Sequence, residues 1–179
     1  MDIFLITLLG TVLIVAVVND LRLGKIPNYL TYPTVITALA YHGITKGLDG
    51  LLFSAGGLAV GIGVFVPPYL MGGMGAGDAK LMGAVGGILG ARGAFVAFLF
   101  TCVVGGIYAL IVLLVKRKKC REFIQRYVMM LKTFAVTGHF IPIRAAEDEN
   151  TPRLFYGVPI ALGTLFSIFF ESSGHVFPI

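Results

Sequence analysis

Along the 179 residues, hydrophobic positions run in long unbroken stretches instead of alternating with polar ones, and six such stretches can be drawn, at roughly 3–19, 28–45, 50–70, 78–91, 93–115 and 154–171. Apolar runs of this kind predict membrane-spanning helices, because backbone polar groups left unpaired in lipid are too costly for anything but helices and closed barrels. The absence of apolar–polar alternation argues against a barrel. Glycines recur inside the runs, at 56, 57, 61, 63, 83, 86, 87, 90, 105 and 106, as expected where helix backbones pack closely in lipid. One substantial polar region, 116–153, separates the last two stretches. It opens with Lys116-Arg117-Lys118-Lys119, and over 121–134 it places Phe123, Ile124, Tyr127, Val128, Leu131 and Phe134 near one face of a helix. That pattern suits an amphipathic helix on the inner leaflet, with a helix buried against the protein itself as the alternative. The expected architecture is an all-α polytopic membrane protein: six transmembrane helices, an interfacial helix between the fifth and sixth, and one domain over 1–179.

Composition agrees with that pattern. Hydrophobic residues make up 57% of the chain and charged residues 13%, with a mean hydropathy of +0.91, which excludes an ordinary soluble domain. The start of the chain lacks the basic residues of a cleaved signal peptide, so the first stretch is expected to be retained. The net charge of +5 does not point to nucleic acid, because nine of the 14 Lys and Arg fall between Lys116 and Arg153, beside membrane stretches. Anionic lipid and membrane topology account for them. With the N-terminus outside, twelve Lys and Arg fall on the inner side and only Lys46 and Arg92 on the outer. This bias places both termini in the periplasm and puts the loop after the first helix and the loop before the fourth together on the cytoplasmic face.

Those two loops carry the candidate chemistry. The first contains Asp20 and ends in Pro27-Asn28, with Asn28 a suitable N-cap for the second helix; the second is the glycine-rich run 71–77, which leads to Asp78. The first stretch, Ile3 to Val18, spans about 24 Å as a helix against a hydrocarbon core of about 30 Å, which draws Asp20 to the membrane boundary. If Arg92 ends the fourth helix, that helix spans about 21 Å and draws Asp78 inward likewise. Ionisable residues at such depths are costly and are functional candidates; the short roster is Asp20, Asp78, Lys80, His42 and Glu171. Taken singly, Asp20 reads as a residue flanking the membrane, Asp78 as a helix cap and Lys80 as a snorkelling anchor. His42 reads as a satisfied ring near the outer interface, and Glu171 as ordinary. Jointly, two carboxylates sharing a face and a depth can hold one proton between them, activate a water and protonate an amide, as aspartic proteases do. Asp78, opening a helix, is the better candidate for the base and Asp20, closing one, for the acid. No metal ligand set is present, and Cys102 and Cys120 carry no assigned chemistry.

Three motifs resemble those of the type IV prepilin peptidases, and in particular the short Flp-type (tight adherence) prepilin peptidases. Asp20-x-Arg22-x-x-x-Ile26-Pro27-Asn28 is similar to the first-aspartate motif, Gly75-x-Gly77-Asp78-x-Lys80-Leu81 to the GxGD motif with its trailing lysine, and Tyr156-Gly157-Val158-Pro159 to the start of the last helix, where many relatives have Pro-Phe-Gly-Pro. The resemblance implies cleavage of the basic leader of a prepilin or pseudopilin at the cytoplasmic face of the bacterial inner membrane. Asp20 and Asp78 take the catalytic positions, and Arg22, Pro27, Asn28, Gly75, Gly77, Lys80, Tyr156, Gly157 and Pro159 support the site. No cofactor is implied. Larger relatives also methylate the new N-terminus through an insertion with paired Cys-x-x-Cys, which this chain lacks, so neither methyltransferase activity nor zinc is expected. The rival readings are a small ion- or proton-coupled transporter, which needs polar residues through to the far side, and a non-catalytic subunit of a pilus or secretion machine. A nucleotide-binding loop fails because Gly72 to Lys80 lacks the Gly-Lys-Ser/Thr ending.

Overall fold

A computed structural model describes residues 2–70, 73–115 and 155–172. Among them the chain is all helical, with α1 (Ile3–Leu23), α2 (Asn28–Leu70), α3 (Ala76–Val115) and α4 (Gly157–Ser172). The first three are long and apolar enough to cross a membrane. The predicted interfacial helix at 121–134 lies outside the described residues.

Neither α2 nor α3 is a straight rod. A straight helix of 43 residues, the length of α2, would extend about 65 Å, twice the hydrocarbon core. Gly47 (φ 62°, ψ −141°) and Gly90 (φ 76°, ψ 175°) break the two helices with positive-φ conformations that cost an L side chain dearly. The chain reverses at each break. A Cβ placed on Gly86 would lie 3.1 Å from the Cβ of Ala94, although residues eight apart on a straight helix are separated by about 12 Å. Gly50 is pressed in the same way against the carbonyl of His42. Each helix is therefore a hairpin of two antiparallel arms, 28–46 with 48–70 and 76–89 with 91–115, which accounts for four of the six hydrophobic stretches.

The second arm of α2 lies antiparallel to the first arm of α3, with Gly57 against the Gly86 backbone and Gly61 against Met82. Small residues let these two backbones meet directly. Across the same seam the Ser54 hydroxyl donates to the Gly87 carbonyl at 2.7 Å. The second arm of α3 packs along α4 through Gly163 against Thr101 and through Phe100 against Phe166 and Phe170. The first arm of α3 is the centre of the bundle, since every residue from Leu81 to Ile88 is buried. The inward stripe of α1 runs through Leu5, Leu9, Val12, Leu13 and Ala16 at helical spacing, while Ile3, Ile14, Val18 and Leu21 face outward. Asp20 is the last residue of that inward stripe.

Three sequence-based boundaries need correction. Helix α1 does not stop before Asp20 but runs on to Leu23, ending at Gly24 in the left-handed conformation with its N–H bonded to the Asp20 carbonyl at 2.8 Å. Asp20 therefore stands on a helix and not in a loop. Helix α3 begins two residues before Asp78, at Ala76. Asn28 is the first residue of α2, and its side-chain oxygen is taken by Lys80. At the far end of the bundle His42 is 5% exposed; its Nε2 lies 3.2 Å from the Ile88 carbonyl, but its Nδ1 is buried with no hydrogen-bond partner. The expected satisfied ring is thus satisfied on one side only.

Candidate active site

Four element ends meet at one end of the bundle: the C-terminus of α1 and the N-termini of α2, α3 and α4. Ile26, in the link between α1 and α2, is buried against Gly77; a Cβ on Gly77 would lie 3.1 Å from that of Ile26. Lys80 Nζ donates to Asn28 Oδ1 at 2.9 Å and lies 5.2 Å from the centre of the Tyr32 ring. The start of α2 is thereby tied to the first turn of α3.

Asp78 is 7% exposed. It is the third residue of α3, and the N-cap position falls to Gly75. The Gly75 N–H donates to Asp78 Oδ2 at 2.9 Å, while the Asp78 N–H donates to the Gly75 carbonyl at 3.1 Å. The first bond is one half of a capping box, with Asp in the place usually held by Glu, and the second is a backbone turn bond, since Gly75 has no side chain to complete the box. Gly75 is exposed and Asp78 buried, so the pair turns the helix start inward. Asp20 is 6% exposed, and its Oδ2 accepts the Gly157 N–H at 2.7 Å. Both carboxylates stand at this one end of the bundle, Asp20 on the last turn of α1 and Asp78 on the first turn of α3. Each has one oxygen held by a glycine amide at the start of another segment or turn.

The structure thus brings Asp20, Asp78, Gly75, Gly77 and Gly157 together, with Asn28 and Lys80 bridging beside them. Pro27 is half-buried in the α1–α2 link. Arg22 is exposed, two residues from Asp20 and so on the opposite side of α1. Pro159 is buried in the first turn of α4, where its missing N–H costs little, and it packs 3.6 Å from a Cβ placed on Gly105. Tyr156 is half-buried against the core. Sequence reasoning quoted Ile26 within the first-aspartate motif without giving it a role, and passed over Tyr32. Ile26 was visible as the apolar residue before Pro27 in a polar link, whereas Tyr32 had no signal apart from its place one turn after Asn28. Among the described residues no group of three His, Cys, Asp or Glu gathers.

A helical protein with three helices long and apolar enough to cross a membrane and two buried carboxylates at one end of its bundle has the outline of a membrane-embedded hydrolase or proton carrier. The chain belongs to the type IV leader peptidase family, whose sequence model matches residues 7–110. The match includes both Asp and ends before α4. Comparison with curated proteins and with solved structures returned no match.

Proposed function

We propose that this chain is an aspartic endopeptidase that removes the leader peptide of Flp-like type IV prepilins or pseudopilins, with Asp20 and Asp78 as its dyad. One observation carries the reading: in a member of the leader peptidase family, two buried carboxylates stand at a junction of four helix ends. Carboxylates buried together at one end of a helical bundle are placed for acid–base work and contribute little as surface ions. One ionised carboxylate takes a proton from water as its oxygen bonds to the scissile carbonyl carbon. The other donates its proton to the carbonyl oxygen. Collapse of the resulting diol breaks the C–N bond, and the amine leaves with a proton returned through the pair. Helix ends do not assign the two roles as the sequence suggested, because Asp20 meets the N-terminus of α4 as well as lying in the last turn of α1.

Each arm of α2 and α3 crosses the membrane once and, together with α1 and α4, gives six spans. The carboxylate end, which carries Arg22, Lys25 and Lys80, faces the cytoplasm, and the end with Lys46 and Arg92 faces the periplasm. The site then lies where a leader precedes the hydrophobic helix of a prepilin. The sequence contains no Cys-x-x-Cys pair, which supports peptidase activity without methyl transfer. Co-expression with an Flp-type prepilin tests the reading. A faster-migrating product with wild type, and none with Asp20→Asn or Asp78→Asn, supports it; unprocessed prepilin with the wild-type chain contradicts it.

A further inference from the structure

The family match stops at residue 110, yet the nearest fixed partner of Asp20 comes from beyond that limit. The Gly157 N–H donates to Asp20 Oδ2 at 2.7 Å. A Cβ on Gly157 would lie 2.8 Å from Oδ2, 3.0 Å from the Asp20 Cβ and 3.3 Å from its Cγ. All three close contacts fall on this one side chain. Gly157 is buried and opens α4, where a free backbone N–H points out of the helix end and along its dipole. The rest of α4 is anchored elsewhere, by Pro159 beside Gly105 and Gly163 against Thr101. The amide is therefore held by the α3–α4 contact and presented to α1 from a fixed place.

We propose that Gly157 is the positioning residue of Asp20. Its amide fixes one carboxylate oxygen, which orients the other toward the reacting atoms, and its lack of a side chain lets the carboxylate lie against the helix end. This role rests on the reading of Asp20 as catalytic; the contact itself does not.

The test uses the full chain, purified in detergent and assayed on a purified Flp-type prepilin. Gly157→Ala is expected to lower kcat on the order of 100-fold, the scale of a misplacement near 1 Å, with KM within about two-fold. Gly56→Ala, at a position with open space around it, is the neutral control. A second measurement needs no activity: the loss in Tm from Gly157→Ala is read in the wild-type chain and in an Asp20→Gly background. Removal of the penalty there, or recovery of folded protein if Gly157→Ala alone does not fold, supports the contact. An equal penalty in both backgrounds overturns it. If the penalty is removed but Gly157→Ala keeps wild-type kcat, the contact is real and the positioning role is overturned. Native-rate cleavage by Asp20→Asn overturns the proteolytic reading itself, and the positioning role with it.

Discussion

At the scale of single residues, the buried carboxylates are held, among the described residues, by backbone amides. Gly75 supplies an amide to Asp78 and Gly157 supplies one to Asp20, while Arg22 is exposed on the far side of α1. A carboxylate fixed by a short amide bond keeps one oxygen for its anchor and one for chemistry. Asn keeps the side-chain oxygen that accepts the anchoring bond, so Asp20→Asn and Asp78→Asn should fold with little change in Tm, yet each should lose about 10²–10⁴-fold in cleavage rate, the usual worth of a positioned acid or base. Lys80 is predicted to act through Asn28. Lys80→Met keeps the apolar stem and removes the ammonium, and with it the bond to Asn28 Oδ1 and the contact over the Tyr32 ring. Asn28→Ala should then mimic Lys80→Met in cleavage rate, and the double variant should be no worse than either single one.

At the scale of elements, the two hairpins decide where the carboxylates lie. Gly90 takes a positive φ of 76° with ψ 175° and has the Phe53 ring against it, so Gly90→Ala carries both a backbone cost of about 1–3 kcal/mol and a steric one. Thermal unfolding in detergent should show a clear loss of Tm, and Phe53→Ala should recover only the steric part. The six hydrophobic stretches foretold the helical segments closely, because hydropathy marks what cannot face water. What they could not tell was which apolar face meets protein and which meets lipid, since Leu is equally at home in both. The all-round burial of 81–88 was for that reason invisible. Asp20 was placed after its helix because charge interrupts the hydropathy signal at 20, whereas the backbone stops only at Gly24, where a left-handed glycine ends the hydrogen-bonding. The hairpin turns were legible as short gaps between stretches, though their geometry was not.

At the scale of the whole molecule, the site is a convergence of segments far apart in sequence. Asp20 and Gly157 are 137 positions apart, and no local pattern links them; the Tyr156-Gly157-Val158-Pro159 motif could be noticed but not given a job. Among the described residues Arg22, Lys25 and Lys80 lie at the carboxylate end and Lys46 and Arg92 at the other. This predicts that a membrane-impermeant thiol reagent outside intact cells labels Lys46→Cys and not Lys25→Cys, made in a Cys102→Ser/Cys120→Ser background; the reverse pattern would put the carboxylates on the wrong face for a cytoplasmic leader. The central claim, that two buried carboxylates cut a leader, is tested most directly by incubating a purified prepilin with wild type, Asp20→Asn and Asp78→Asn and locating the new N-terminus by mass spectrometry. The account predicts a single cut before the hydrophobic helix with wild type and none with either variant. A native-rate cut by either variant would contradict it.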